Sequence, residues 1–182
     1  MPKSYSPKRE RDAFLHEHWD AKPDEHFERL GISRERIKAA QLGPEGHIVV
    51  PGDPTYDEDR MLINPVFDPS PCFIVCCKTV PDVAIALTLA RASGMPFTVR
   101  SGGHCTAGFS AGSGPLIDVK GLNSITVDVG NKTAVVGTGC TSPSTRRSKL
   151  TGCMFRAANA RPSASAASCK AAGSASPRRH TA

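Results

Sequence analysis

The middle of the sequence predicts an α+β fold, on three observations. CFIVCC at residues 72–77 is an apolar run of strand length. TVPDVAIALTLARASG at 79–94 reads as a helix with both ends marked: Thr79 as N-cap, Pro81 in the first turn and Gly94 at the close. MPFTVRS at 95–101 is the next strand, and after a glycine-rich loop come LIDVKGL, SITVDV and TAVVGTG, three further strand-like stretches.

The order strand, helix, strand is the crossover that makes parallel sheet. Val80, Val83, Ala84, Leu87 and Ala90 or Arg91 are expected to mark the inward face of its helix. The last three stretches read as a β-meander, with Gly130 and Asn131 supplying a tight hairpin turn. Upstream, residues 8–42 have helix composition, with Phe14, Trp19, Phe27, Leu30, Ile32, Ile37 and Leu42 spaced among charges and with Pro23 and Gly31 as breaks. Short surface helices are expected there. Residues 44–71 hold six prolines and a GDPTYDEDR turn cluster, which suits an extended connection.

At 182 residues the chain has room for one ordinary domain, or one and part of another. No apolar run approaches the eighteen or so residues of a membrane helix, and the charged amino terminus lacks the apolar core of a secretory signal. A cytoplasmic protein with no membrane partner is expected. Seven cysteines without a repeating spacing fit reduced thiols better than a disulfide framework. Cys72, Cys76 and Cys77 lie on the core strand and read as small buried apolar residues, and Cys105 as an unreactive loop thiol. His16, His18 and His26 lie among charges and read as surface residues; no metal site is expected.

The net charge of +6 is unevenly spread. From Thr141 onward there are 8 basic residues and no acid, against 15 basic and 17 acidic before it. That last segment is mostly Ser, Ala, Arg and Pro, and cannot bury enough surface to offset its ordering entropy. The expected organisation is therefore a helical extension at 1–47, a folded part at 48–141 and a disordered tail at 142–182. Such a tail would bind nucleic acid only through unspecific counterion release, and no nucleic-acid partner is expected.

The loop RSGGHCTAGFS, residues 100–110, sits at the carboxyl end of a strand, where ligands of open α/β sheets gather. Gly102, Gly103 and Gly108 let backbone N–H groups turn toward an anion without interference from Cβ. Arg100 offers charge, and Ser101 and Ser110 offer hydroxyls. A phosphate or pyrophosphate is the natural guest; a plain glycine-rich turn between strands is the alternative. The spacing is not the dinucleotide fingerprint G-x-G-x-x-G, and no helix pattern follows.

FIVCCKTVPDVAIALTLARASGMPFTVRSGGHCTAGFS, followed by LIDVKGLNSITVD and AVVGTGCT, resembles the amino-terminal half of the PCMH-type FAD-binding domain of the vanillyl-alcohol oxidase and p-cresol methylhydroxylase superfamily. Within it, the berberine-bridge-enzyme-like oxidoreductases are the most similar type, over roughly residues 48–141. The resemblance implies that the backbone of Arg100, Ser101, Gly102, Gly103 and His104, with Gly108 and Ser110, cradles the pyrophosphate of FAD. It implies too that His104 stands where the family's histidine is joined to the flavin 8α-methyl, with noncovalent FAD as the alternative. The implied activity is flavin-dependent oxidation of a small-molecule alcohol, sugar or amine, with O₂ a plausible acceptor. The catalytic base would lie beyond the matched stretch, so no catalytic residue is named.

Relatives of this type often carry a second flavin tether, a cysteine in a motif resembling P-G-G-x-C-P-x-V-x-V-G-G. No such motif stands in this chain, and the family-like pattern stops near Thr141. Reading each codon one base earlier turns residues 155–182 into a stretch that, within codon degeneracy, begins V-P-G-G-E-C-P and continues into a glycine-rich run. Only its first valine is forced, because Met154 has a single codon ending in G and Phe155 begins TT. A frameshift near residue 141 with an out-of-frame tail is therefore expected. The alternative functional reading that it carries is an inactive, truncated chain with weak or no FAD binding. The coding DNA through Thr141 is expected to hold an uninterrupted second frame past codon 182; stop codons scattered through that frame would refute the frameshift.

Overall fold

The computed structural model describes residues 7–140 except Val129 and Lys132. The tail expected to be disordered, 142–182, lies outside the described residues. By their contacts the described residues fall into two units, one ending at Leu122 and one beginning at Asn123.

The first unit opens with three helices, α1 (Pro7–Asp20), α2 (Asp24–Arg29) and α3 (Arg34–Lys38). There follow β1 (His47–Val49), α4 (Tyr56–Arg60), β2 (Ile74–Cys76), α5 (Val80–Ala92), β3 (Thr98–Arg100) and β4 (Leu116–Asp118). The four strands form one sheet in the order β1-β2-β4-β3, with β1 antiparallel to β2 and the other neighbours parallel.

Alternation along the strands sends side chains to two different cores. Ile48, Val50, Phe73, Val75, Cys77, Ile117 and Val119 share one cluster with Ala86, Leu89 and Ala90 of α5 and with Leu15, Trp19, Phe27, Leu30, Ile32, Ile37 and Leu42. Val49, Ile74, Cys76 and Leu116 point the other way and pack with Tyr56 of α4. The amino-terminal helices are thus one wall of the main core, and that core crosses the expected boundary at residue 47. Each fully buried aromatic or aliphatic side chain there contributes roughly 1.5–3 kcal/mol.

Asp53 ties this wall down. Its Oδ2 accepts hydrogen bonds from Trp19 Nε1 at 2.9 Å and from Val50 N at 2.8 Å, and Lys22 Nζ lies 3.4 Å from its Oδ1. His18 and His26 are drawn in with the wall. The His18 ring reaches the Gly52 carbonyl at 3.0 Å, and burial lowers the His26 imidazole below its ordinary range. They are half-buried, where surface positions were expected.

Three further expectations are revised. Residues 44–71 are not merely an extended connection: Ile48, Val49 and Val50 form an apolar run that makes β1 an edge for β2, and the acidic turn cluster winds into α4. Leu116–Asp118 does not begin a meander. All three residues are buried, as suits a central parallel strand, and β4 inserts between β2 and β3. The second unit holds the remaining pair as a hairpin, β5 (Ile125–Asp128) against β6 (Thr133–Val136), with the half-buried alternation of strands covered on one face. At its turn Asp128 accepts hydrogen bonds from the N–H and the side-chain amide of Asn131.

The third revision concerns α5. Thr79 is its N-cap and forms a capping box with Asp82. Ala90 is buried and Val83 and Leu87 pack against the core as expected, but the face also carries buried Asp82, Ala86 and Leu89, while Val80 is 75% exposed and Ala84 is exposed. Asp82 sets that rotation, because its carboxylate accepts from Thr79 N, Lys78 N and, across the fold, Gly43 N at 2.6 Å. Burial pushes this carboxyl upward, but the donors outweigh it and hold its pKa below the ordinary 3.8.

Asp82→Ala is expected to cost roughly 2–4 kcal/mol in urea melts, since it removes a cap and strands buried N–H groups. A carboxyl lowered in the folded state contributes above its unfolded pKa and loses that contribution as pH falls through its folded pKa. The gap between wild type and variant should therefore be constant above pH ~5 and close below pH ~4.

Candidate functional site

β2, β4 and β3 run parallel, so their carboxyl ends meet along one edge of the sheet, and the glycine loop leaves from β3 there. Arg100, the last residue of β3, is 4% exposed. Its Nη2 lies 2.5 Å from Asp118 Oδ2 and its Nε 3.2 Å from the same oxygen. Its remaining donors go to the Met61 carbonyl at 3.2 Å and to the Asp59 carbonyl. The charge expected to face a phosphate is thus turned inward, to join β3 to β4 and to the end of α4. Only the Arg100 backbone borders the loop, its carbonyl accepting from Val119 N at 2.8 Å.

Beyond it the chain makes little use of its own amides. Among the described residues, the N–H groups of Gly102, Gly103 and His104 have no hydrogen-bond partner. Gly103 has φ +69°, the left-handed region that favours glycine, and a Cβ built there would be in ordinary van der Waals contact with Arg100 and Leu62 at 3.8 Å. Ser101, Gly102 and Gly103 are half-buried and His104 is exposed. The turn continues with Gly108 N donating to the Cys105 carbonyl and Ala111 N to the Gly108 carbonyl.

Hydrogen bonding from the backbone of Phe109, and to a lesser degree of Ala107, Ser110 and Gly108, holds the Cys105 thiol below the ordinary range, against the opposing effect of burial. Cys72, Cys76 and Cys77 behave as expected for core thiols: burial pushes them up to about 11, 12 and 12.

Gly108 has a different reason to be glycine. Its φ is +74°, and a Cβ there would sit 2.4 Å from the ring of Phe67, which packs on its Cα. Around the loop, Met61, Ile63, Val66 and Phe109 are exposed apolar side chains, at 59%, 61%, 81% and 83%. The structure thus brings Ser101, Gly102, Gly103 and His104 together as one open loop, with Gly108 and Ser110 on its return. Asp118, Asp59, Lys120 and Phe67 were missed. Asp118 had a readable signal, an acid in the buried strand LID opposite an arginine that ends TVR; Phe67 had none.

A parallel sheet whose strand end opens into unpaired backbone amides is the arrangement in which ligands of α/β proteins tend to gather. The sequence profile of the FAD binding domain family matches residues 71–179, more than half of the chain, and the chain belongs to that family. The match runs on past residue 141, beyond the described residues. The FAD-linked oxidoreductase YgaK of Bacillus subtilis is 37% identical over 95 residues, which are 52% of this chain and 21% of YgaK. Berberine bridge enzyme-like 28 of Arabidopsis thaliana is 36% identical over 92 residues, 46% of this chain and 17% of that protein. The crystal structure of 6-hydroxy-D-nicotine oxidase from Arthrobacter nicotinovorans superposes with a TM-score of 0.57 at 28% identity, covering 63% of this chain and 26% of that one. The matched part of this chain therefore spans about a fifth of the length of these curated relatives.

Gly108→Ala is expected to destabilise by roughly 1–3 kcal/mol, combining left-handed strain with the clash on Phe67. Adding Phe67→Ala should recover the clash and leave the strain, so the two losses should not sum in a denaturation double-mutant cycle. Simple additivity would show that the Phe67 contact is not what demands the glycine.

Proposed function

We propose that the loop of residues 101–110 holds the pyrophosphate of FAD, and that the whole protein is an FAD-linked oxidoreductase of the berberine-bridge-like type acting on a small alcohol, sugar or amine. The observation that carries this reading is the run of three amides at Gly102, Gly103 and His104 without partners among the described residues, with Gly103 at a positive φ. The residues fit the group. An anion placed there receives backbone donors at no cost of dismantling the fold, and the Ser101 and Ser110 hydroxyls lie on the same loop. Bound FAD would supply the acceptor for a hydride.

This chain's own residues do the holding. The Arg100–Asp118 pair fixes where the loop starts, and the Phe67 ring fixes where it turns back. The exposed apolar rim at Met61, Ile63, Val66 and Phe109 excludes water from whatever covers it. Exposed His104 is the attachment residue for the flavin, following its position in the motif. No helix among the described residues is long and apolar enough to cross a membrane. A cytoplasmic place, with a small molecule rather than a membrane or nucleic acid as partner, is part of the proposal, and it is supported by the free thiols of the core.

The test has two arms. The chain itself should quench FAD fluorescence weakly and reversibly, and Gly103→Val should abolish that binding; equal binding by the variant would overturn the loop assignment. If the coding DNA holds the expected second frame, protein made from it with the cysteine of its P-G-G-E-C-P motif changed to serine should keep flavin on the polypeptide after denaturation and lose it when His104→Ala is added. Equal retention by that variant would leave FAD bound but remove His104 as its tether.

A further inference from the structure

We propose that His47, Asp59 and Cys76 form a binding site for a divalent metal ion of the zinc class, on the opposite side of β2 from the glycine loop's own strand. One ligand atom from each of the three lies within 4.8 Å of the others. Tetrahedral zinc bonds of roughly 2.0–2.3 Å place N, O and S ligand atoms about 3.3–3.6 Å apart, so the three need to close by up to about 1.5 Å. Imidazole nitrogen, carboxylate oxygen and thiolate sulfur together suit zinc or cobalt rather than magnesium or calcium.

Strand register builds the site. His47 opens β1 and is paired directly with Cys76, which ends β2. Directly paired residues of antiparallel strands share a face, so the imidazole and the thiol meet without any loop to position them. The same row continues across the sheet, with Cys76 opposite Asp118 and Asp118 opposite Arg100. Asp59 arrives from α4, whose carboxyl end Arg100 holds over the row through the carbonyls of Asp59 and Met61.

The neighbours are arranged as metal ligands need them. His47 Nδ1 lies 3.3 Å from the Glu45 carbonyl, and with its proton on Nδ1 the ring would offer Nε2 to an ion, the usual outer-shell arrangement of a ligating histidine. Asp59 meets Lys120 Nζ through one oxygen, Oδ1, at 3.5 Å, and has the second for an ion. Asp118 is committed to Arg100 and to Lys120, so it stays outside the ligand set. The Cys76 sulfur has no hydrogen-bond partner among the described residues. Binding exchanges the thiol proton for the metal, with one S–H bond broken, one S–metal bond made and the proton released to solvent. Half-buried His47 leaves the fourth position open to water. Such an ion would clasp β1, β2 and α4 together at the sheet end from which the FAD loop departs.

The probe is cobalt(II) alone, titrated into the whole metal-free chain. One equivalent should produce a thiolate-to-cobalt charge-transfer band with tetrahedral visible bands, and zinc should bleach both. Cys76→Ser should lose the charge-transfer band, while Cys72→Ser and Cys105→Ser keep it. His47→Gln and Asp59→Asn, at partly exposed positions, should weaken binding by at least the roughly tenfold that loss of an outer partner costs, with far-ultraviolet circular dichroism unchanged. No band in the parent, a band that survives in Cys76→Ser, or unchanged affinity in both His47→Gln and Asp59→Asn would overturn the site. FAD binding is measured separately and does not enter any of these outcomes.

Discussion

The buried pair of Arg100 and Asp118 is the interaction on which the arrangement of this sheet edge depends. Two unit charges have been taken from water at the ends of adjacent parallel strands, and removing either partner alone would cost roughly 3–5 kcal/mol by leaving the other uncompensated. The pair contributes less to net stability than to position, because a well-packed apolar pair would hold the strands about as well. What an apolar pair would not do is donate to two carbonyls at once. Through Asp59 and Met61 the guanidinium brings the end of α4 to the strand ends, and α4 in turn covers the second core through Tyr56. The first residue of the glycine loop is therefore anchored in three directions before the loop becomes open.

That anchoring explains why the loop can leave its amides unpaired. Backbone N–H groups are satisfied almost everywhere in a folded chain, by neighbours or by water. Gly102, Gly103 and His104 stay half-open because the residues before them are held by an ion pair and the residues after them by the Phe67 ring against Gly108. The rigidity sits at both shoulders, and the unpaired amides lie between them. The segments that supply the shoulders are distant in sequence, since Phe67 and Met61 belong to the proline-rich stretch before β2.

Much of this was legible in the sequence where the signal was local. The start of α5 announces itself as Thr79 followed by Pro81, and the apolar CFIVCC run has the length of a buried strand. The loop motif showed its residues and the family to which they belong. What failed depended on partners far along the chain. The face of α5 was right at Val83, Leu87 and Ala90 but wrong at Val80 and Ala84, because Asp82, a charged residue, is turned inward by Gly43 some forty residues earlier. β4 was taken for the start of a meander because hairpins are the commonest neighbours in sequence, although its unbroken burial, as against the alternation of β5 and β6, marked a central strand. Arg100 looked like a ligand for phosphate because nothing local names Asp118 as its partner. The pairing of His47 with Cys76 likewise appears only once β1 is known to be a strand.

β3 occupies the outer place in the four-stranded order, and Val99 at its middle is half exposed, with Phe97 just before it. An edge strand with apolar side chains is a template for any extended backbone that drifts past, including another copy of itself. Only three residues long, it offers few rungs, and a single molecule in dilute solution gains nothing from it. In a crowded refolding mixture the same rungs act on every neighbour. Self-association through this seam then rises with the square of protein concentration while intramolecular folding does not, so the yield of folded chain is decided by dilution as much as by sequence.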